Sequence, residues 1–213
     1  MDDTEFDRAL ITSALDLAAQ RGWQRLSVAR AARHAGLALD RARARFPGRP
    51  MVLLRFVRMA DCAALAGAAE EGAVRDRLFD LLMRRIDVLQ NHRAGVLAVM
   101  SALPADPATA LLLAATNLRG MGWMLEAAGV SAAGPLGLLR AKGLLAVWLW
   151  TLRAWQRDAS DDLAPTMAAL DQALARAEQV AGWLGARQAA RPAPEAPETP
   201  ESPEPAPTGP DQP

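Results

Sequence analysis

Arginine is concentrated in one short segment of this chain. Between residues 21 and 58 there are ten arginines and a single acid, Asp40, although the whole chain of 213 residues is formally neutral. The ten are Arg21, Arg25, Arg30, Arg33, Arg41, Arg43, Arg45, Arg49, Arg55 and Arg58. A positive surface of this density favours a polyanion, most often the phosphate backbone of a nucleic acid. A general preference for arginine over lysine explains the residue type but leaves the crowding unexplained.

Side chains that could support catalysis or bind a metal are few. The chain has one cysteine, Cys62, and two histidines, His34 and His92, which form no cluster at metal-ligand spacing. Neither histidine has a candidate nucleophile near it in the sequence, and the carboxylate pair Asp161 and Asp162 falls in a predicted loop. We therefore expect no catalytic residue, no metal and no cofactor, and a protein that is not an enzyme.

The composition favours an all-α fold. Tyrosine is absent, β-branched residues are sparse and 51% of the residues are apolar, which is enough for a buried core. Glycine, proline and N-cap residues divide the sequence into helical segments. We predict helices over residues 4–20, 28–34, 39–45, 50–68, 74–91, 93–102, 107–128, 135–157 and 162–186.

The N-terminus and the longest apolar run indicate where the protein resides. Residues 2–7 carry four acids, which is the wrong charge for a signal or transit peptide. The longest uncharged apolar run, residues 143–152, is shorter than the roughly 20 residues that a membrane-spanning helix needs. We expect a cytoplasmic protein.

Two short predicted helices, residues 28–34 and 39–45, are joined through Ala35-Gly36-Leu37. Gly36 permits the positive φ that a tight turn needs, and small residues such as Ala31 and Ala32 would let the two helices approach closely. With one helix before and another after, this is the arrangement of a helix-turn-helix unit. In such a unit the second helix lies in the major groove of duplex DNA, where side chains of its N-terminal half reach base edges.

The residues of this unit resemble those of TetR-type transcriptional regulators. The resemblance rests on LSVARAARHAGL at residues 26–37, on Phe46-Pro47-Gly48-Arg49 and on ALDLAAQRGW at residues 14–23. It implies that Ser27 caps the first short helix and contacts phosphate, that Phe46 closes the small domain, and that Arg49 binds phosphate. The predicted DNA-contacting residues are Ser27, Arg30, Ala38, Asp40, Arg41, Arg43, Arg45 and Arg49.

The resemblance implies a homodimeric repressor that binds an operator in duplex DNA and senses a small hydrophobic effector. The second short helix departs from the usual family pattern, since Arg43 stands near the position of a usual tyrosine and Ala38 and Asp40 replace a Ser/Thr/Gly-rich entry. A related class of proteins keeps this helical plan, has lost DNA binding and holds an isoprenoid or other lipid for quinone synthesis. That class is the alternative function.

Large apolar side chains are frequent in the C-terminal part of the chain, where five of the six tryptophans lie. Such side chains either line a ligand cavity or fill a core. Asn117 and Arg119 interrupt an apolar stretch, so they either face solvent or orient a ligand. The predicted ligand-binding residues are Met100, Asn117, Arg119, Trp123, Met124 and Trp148.

Apolar residues recur at spacings of three and four along the last predicted helix, which is typical of a helix that packs along its whole length. Together with the Trp-rich helix before it, this stripe favours half of a symmetric four-helix dimer interface. The alternative is packing within one subunit. The predicted interface residues are Leu144, Trp148, Met167, Leu170, Leu174, Ala177, Ala181 and Leu184.

These patterns divide the chain into three parts. We predict a three-helix helix-turn-helix domain over residues 1–60, a helical ligand-binding and dimerisation bundle over residues 61–186, and a disordered tail over residues 187–213. Nine of the fifteen prolines lie within residues 192–213, interleaved with glutamates. Because this segment has almost no apolar side chains to offset the entropy of ordering, it is expected to stay extended, as a solvated extension or a partner-binding tail.

Overall fold

The computed structural model describes the backbone of residues 1–189 and the side chains of residues 1–180. Within that part of the chain there is no strand, which confirms the predicted all-α fold, and the predicted helix ends are within three residues of those found. The helices are α1 (Asp3–Arg21), α2 (Val28–His34), α3 (Leu39–Arg45), α4 (Arg49–Leu65), α5 (Val74–Gln90), α6 (Arg93–Ala102), α7 (Pro107–Ala127), α8 (Gly134–Arg157) and α9 (Ala164–Ala189).

Polar caps fix where several helices begin. The side chain of Asp2 accepts from the Glu5 amide at 2.7 Å while the Glu5 carboxylate accepts from the Asp2 amide at 3.1 Å, a reciprocal pair that starts α1. Asp106 accepts from the Thr109 amide at 3.1 Å, next to a proline in the first turn of α7. Local signals of this kind act within a few residues of each of these two helix starts.

The four N-terminal helices pack around one apolar centre. Ala31 and Ala32 of α2 are fully buried, so the backbone of α2 lies close to α1 and α3. Helix α6 also packs on α1, where Gly95 leaves room for the backbone of Leu15. The other large buried side chains of this region include Phe6, Leu10, Ile11, Trp23, Phe46, Val52 and Phe56. Helix α4 extends to Leu65, beyond the boundary predicted at residue 60, and connects this unit to α5 and α7.

Half of the residues predicted at the dimer interface are buried within the single chain. Helices α8 and α9 lie against each other, and four of the eight predicted interface residues are at most 5% exposed in a single chain: Leu144, Trp148, Leu170 and Leu174. Met167 and Ala177 are partly buried, whereas the side chains of Ala181 and Leu184 lie outside the described residues. An apolar stripe shows that a helix face is buried, but it does not show which surface covers it.

Two predictions concern the ends of the described chain and its hydrophobic segments. Residues 187–189 continue α9, and the rest of the predicted tail lies outside the described residues. Within residues 1–189 no single helix has the length and apolar character to cross a membrane, although residues 93–105 and α7 would meet both criteria as a pair bent by 120°.

Candidate functional site

The turn between α2 and α3 has the geometry of a helix-turn-helix. Gly36 adopts φ +66°, a conformation in which a Cβ atom is strained. The Leu37 amide donates to the carbonyl of Ala32 at 2.8 Å, which closes the end of α2 and redirects the chain into α3. Ser27 starts α2 as predicted, because its hydroxyl accepts from the Arg30 amide at 3.2 Å.

Side chains of α1 hold α2 in this position. The Ser13 hydroxyl donates to the carbonyl of Ala31 at 2.8 Å and lies 3.1 Å from His34 Nδ1. Ser13 is buried, so this polar group is satisfied by the helix that it anchors. His34 therefore has a structural contact in the helix-turn-helix unit.

Three of the ten clustered arginines are paired with acids of α1. Arg41 donates to Asp3 at 2.6 Å, and Arg45 contacts both oxygens of Asp7 at 2.6 and 2.9 Å. Arg55 also pairs with Asp7. The hydrogen bond from Arg41 lowers the pKa of Asp3, and although burial acts to raise the pKa of Asp7, its arginine partners lower it overall. The guanidinium groups of Arg41 and Arg45 are thus directed towards α1.

The outer face of α3 is formed by a different set of residues. Ala38, Leu39, Asp40, Arg43 and Ala44 are exposed, whereas Arg41 and Arg45 are only partly exposed and Ala42 is buried. Arg43 donates to the carbonyl of Pro47 at 3.1 Å from this exposed position. Of the three α3 arginines predicted to contact DNA, Arg43 therefore has the outward orientation.

Arg30 and Arg49, also predicted to contact DNA, differ in their surroundings. Arg30 is exposed in the first turn of α2. Arg49, at the first residue of α4, is partly buried, and its Nη1 donates to the carbonyls of Gln24 at 2.7 Å and Trp23 at 3.2 Å. Arg49 thus fastens the start of α4 to the 3₁₀ turn Trp23–Arg25.

A cavity of about 220 Å³ lies between the helix-turn-helix unit and the C-terminal helices. Leu15 of α1 and Leu53 and Phe56 of α4 form one side of it, so the same helices that support the turn also contact the cavity. Residues of α5, α6, α7 and α8 form the remaining sides. Ala114 and Leu149 are exposed members of the lining, which places the opening between α7 and α8.

Three of the six predicted ligand-binding residues line the cavity, and the other three do not. Met100, Asn117 and Trp148 line the cavity. Arg119 and Trp123 are exposed on α7, and Met124 is fully buried but does not line the cavity. Trp148, which was assigned to both the ligand site and the dimer interface, belongs to the cavity and the core.

Sequence reasoning missed the buried ion pair beside this cavity. Arg85 of α5 is 1% exposed, and its Nε lies 2.9 Å from Oδ1 of Asp61 of α4. Burial raises the pKa of Asp61 and lowers that of Arg85, and the opposite charge of each partner opposes the shift in the other. The signal was present in the sequence, because Arg85 falls on the same face of α5 as Leu78, Leu81 and Leu82, where an apolar residue is expected.

An exposed apolar strip runs along the outer face of α8. We call Leu139, Gly143, Ala146, Leu149 and Trp150 the α8 strip; they recur at helical spacing and all are exposed. The three large side chains remain more than half exposed: Leu139 52%, Leu149 56% and Trp150 54%. Contiguous exposed apolar surface of this kind marks interaction sites.

Comparison with known proteins shows the fold. A comparison of the sequence with protein-family models and with curated proteins finds no match. Among solved structures, a TetR transcriptional regulator from Nitrosomonas europaea ATCC 19718 has a TM-score of 0.67 at 22% identity, covering 82% of this chain and 99% of that chain. A TetR-family transcriptional regulator from Streptomyces coelicolor has a TM-score of 0.57 at 20% identity, covering 88% and 85%.

A third structure, a TetR transcriptional regulator from Rhodococcus sp. RHA1, has a TM-score of 0.55 at 16% identity and covers 84% of this chain and 97% of that chain. All three identities are low, so the likeness is one of three-dimensional structure. The chain has the TetR fold, and the resemblance seen in residues 14–49 is confirmed at that level.

Proposed function

We propose that this protein is a TetR-type transcriptional regulator that binds duplex DNA as a homodimer. The observation that carries the proposal is the outer face of α3, which presents the exposed Arg43, on a tight helix-turn-helix whose α2 carries the exposed Arg30. This face suits insertion into a major groove, with exposed arginines next to the phosphates. The similar solved structures are described as transcriptional regulators, which supports the same role here.

The α8 strip is the surface that we assign to the dimer. Helix-turn-helix proteins bind two half-sites through two-fold symmetry, which requires a self-complementary surface away from the DNA. The strip is apolar and exposed, whereas Leu170 and Leu174 of the stripe first predicted on α9 are buried in the single chain. Trp150 is the aromatic side chain best placed to anchor this interface.

In this proposal a small hydrophobic effector binds in the cavity and lowers the affinity for DNA. The protein without effector then acts as a repressor. Leu15 of α1 and Phe56 of α4 contact the cavity directly. A ligand that favours one packing of these helices would thereby favour one spacing of the two DNA-binding units.

The isoprenoid-carrier alternative is not favoured, since a cavity of about 220 Å³ is below the usual range even for drug-sized ligands.

A mobility-shift assay with fragments of the DNA upstream of its own gene tests this function. We expect retardation that weakens steeply as the salt concentration rises, because binding is led by phosphate contacts. The regulator function is wrong if no fragment is retarded even at low salt.

Single alanine variants test which arginines contact DNA. Arg43→Ala should cost about 1–3 kcal/mol on a matched operator and little on other sequences, since its side chain faces outward on α3. Arg30→Ala should weaken binding to all sequences about equally. Arg41→Ala is the matched control, and its effect should be smaller because Asp3 already holds that guanidinium. Equal losses for Arg41 and Arg43 variants would contradict the assignment of the outer face.

A further inference from the structure

One charged side chain lines an otherwise apolar cavity. The polar members of the lining are Arg85 and Asn117, and the others are aliphatic or aromatic residues with one methionine. The guanidinium carbon of Arg85 lies 4.4 Å from the ring centre of Trp148, a cation–π contact between two residues that line the cavity. Arg85 is 1% exposed, so its nitrogens have almost no access to bulk water.

Not every side-chain nitrogen of Arg85 has a hydrogen-bond partner among the described residues. Nη2 donates to Oδ1 of Asn117 at 2.8 Å, and Nε lies against the carboxylate of Asp61. Nη1 is buried and has no hydrogen-bond partner in the described part of the chain. The side-chain nitrogen of Asn117 also has a partner, since Nδ2 donates to the carbonyl of Leu113 at 2.8 Å. Nη1, which carries two N–H donors, is thus left without a protein partner in a residue that lines the cavity, and a ligand oxygen there could accept from it.

The charge around the cavity selects for a neutral partner. Asp61 already supplies the negative charge that balances Arg85. A ligand carboxylate would place a second anion in the same desolvated space, which is unfavourable without a further cation. A neutral oxygen, such as that of a ketone, ester or amide, satisfies the donor without changing the balance.

The size of the cavity limits the remainder of the ligand. Its volume of about 220 Å³ exceeds that of an apolar cavity of about 150 Å³ that accepts benzene. We propose that the cavity binds a neutral, mainly apolar molecule somewhat larger than benzene, whose carbonyl-type oxygen accepts a hydrogen bond from Nη1 of Arg85. This inference rests on the proposed role of the cavity as the effector site.

Three probes of similar shape test this chemistry on the full chain by isothermal titration calorimetry or ligand-observed NMR. Acetophenone carries the neutral acceptor, ethylbenzene lacks it, and benzoate carries a negative charge instead. We expect acetophenone to bind about tenfold more tightly than ethylbenzene, with benzoate the weakest of the three. Equal affinities for acetophenone and ethylbenzene, tighter binding of benzoate, or no binding of any probe at millimolar concentration would each overturn the proposal.

A variant without the ion pair provides a second test. Arg85→Met combined with Asp61→Asn removes both charges together, since removal of one alone would leave the other buried and unpaired. The double variant should lose the preference for acetophenone over ethylbenzene, whereas Arg84→Met, at the exposed neighbouring position, should keep it. If circular dichroism shows that the double variant does not fold, the relative affinities of the three probes for the unmodified chain still test the proposal.

The outcomes separate this inference from the function on which it rests. A chain that shows the expected order of probes but retards no DNA would overturn the regulator function and leave the cavity chemistry intact. A chain that retards DNA but does not distinguish acetophenone from ethylbenzene would overturn the cavity chemistry alone.

Discussion

Asp3 and Asp7 determine how much of the arginine cluster is available to a polyanion. Both belong to α1, and they pair with Arg41, Arg45 and Arg55, which lie far from them in the sequence. A count of charge along residues 21–58 overstates the free positive charge, because the compensating acids lie outside that segment. Only the folded structure brings the two groups together.

Removal of one of these acids should strengthen DNA binding. Asp3→Asn would release the guanidinium of Arg41 for a phosphate, so we expect higher affinity for all sequences and a salt dependence that is steeper by about one unit of log–log slope. Fluorescence anisotropy across a salt series measures both quantities. Asp16→Asn, an exposed acid of the same helix that pairs with no described arginine, is the control and should leave them unchanged. An Asp3→Asn protein with unaltered slope would contradict the idea.

Asp158 stabilises the connection between α8 and α9. Although burial acts to raise its pKa, hydrogen bonds donated by Ser160 and Thr166 lower the pKa from 3.8 to about 2. One of these bonds comes from the Thr166 amide at 3.0 Å and caps the first turn of α9. The carboxylate form is therefore the one that the folded state prefers.

The stability that Asp158 contributes should depend on pH. Because its folded pKa lies below the unfolded value, the contribution is complete above about pH 4 and is lost as the pH falls through about 2. Asp158→Asn should lower the free energy of unfolding by about 1–2 kcal/mol at pH 7, and the difference from the unmodified chain should shrink between pH 4 and pH 2. Urea unfolding followed by circular dichroism measures it. A difference that is constant with pH would contradict this account.

At the scale of the helices, the sequence was most informative about where each one begins and ends. Caps such as Asp106, and breaks such as Gly36, act within a few residues and can be recognised from the sequence. The partners of a helix face depend on distant parts of the chain. Leu170 and Leu174 were predicted to lie in a dimer interface, and the structure buries both of them within the single chain.

The contact between α1 and α6 depends on a glycine. A methyl group on Gly95 would lie 2.5 Å from the carbonyl oxygen of Leu15, and both groups belong to helix backbones that cannot move independently. We expect Gly95→Ala to lower the free energy of unfolding by about 1–3 kcal/mol, despite the better helix propensity of alanine. Gly122→Ala is the matched control, since its methyl would meet Ala132 at an ordinary 3.8 Å. If Gly95→Ala proves as stable as Gly122→Ala, α6 is not fitted closely to α1.

At the scale of the whole molecule, the cavity connects the parts that the sequence suggested were separate. Helix α4 carries Asp61 against Arg85 of α5 and also supports the helix-turn-helix through Val52 and Leu53. The predicted boundary at residue 60 falls within this helix. On the proposed function, a ligand in the cavity would therefore act on one continuous helix, α4, that also supports the helix-turn-helix unit.

The assembly of two chains provides the last prediction. Trp150→Arg puts a charge in the α8 strip, where a second copy would desolvate it, so the dimer should dissociate while each chain stays folded. Light scattering should then give the mass of one chain, with unchanged helical circular dichroism. Leu174→Arg should instead cause unfolding, because Leu174 is 4% exposed in the single chain. Val74→Arg, at an exposed apolar position on α5, is the control and should leave the dimer intact. A Trp150→Arg protein that stays dimeric at micromolar concentration would place the interface on another face.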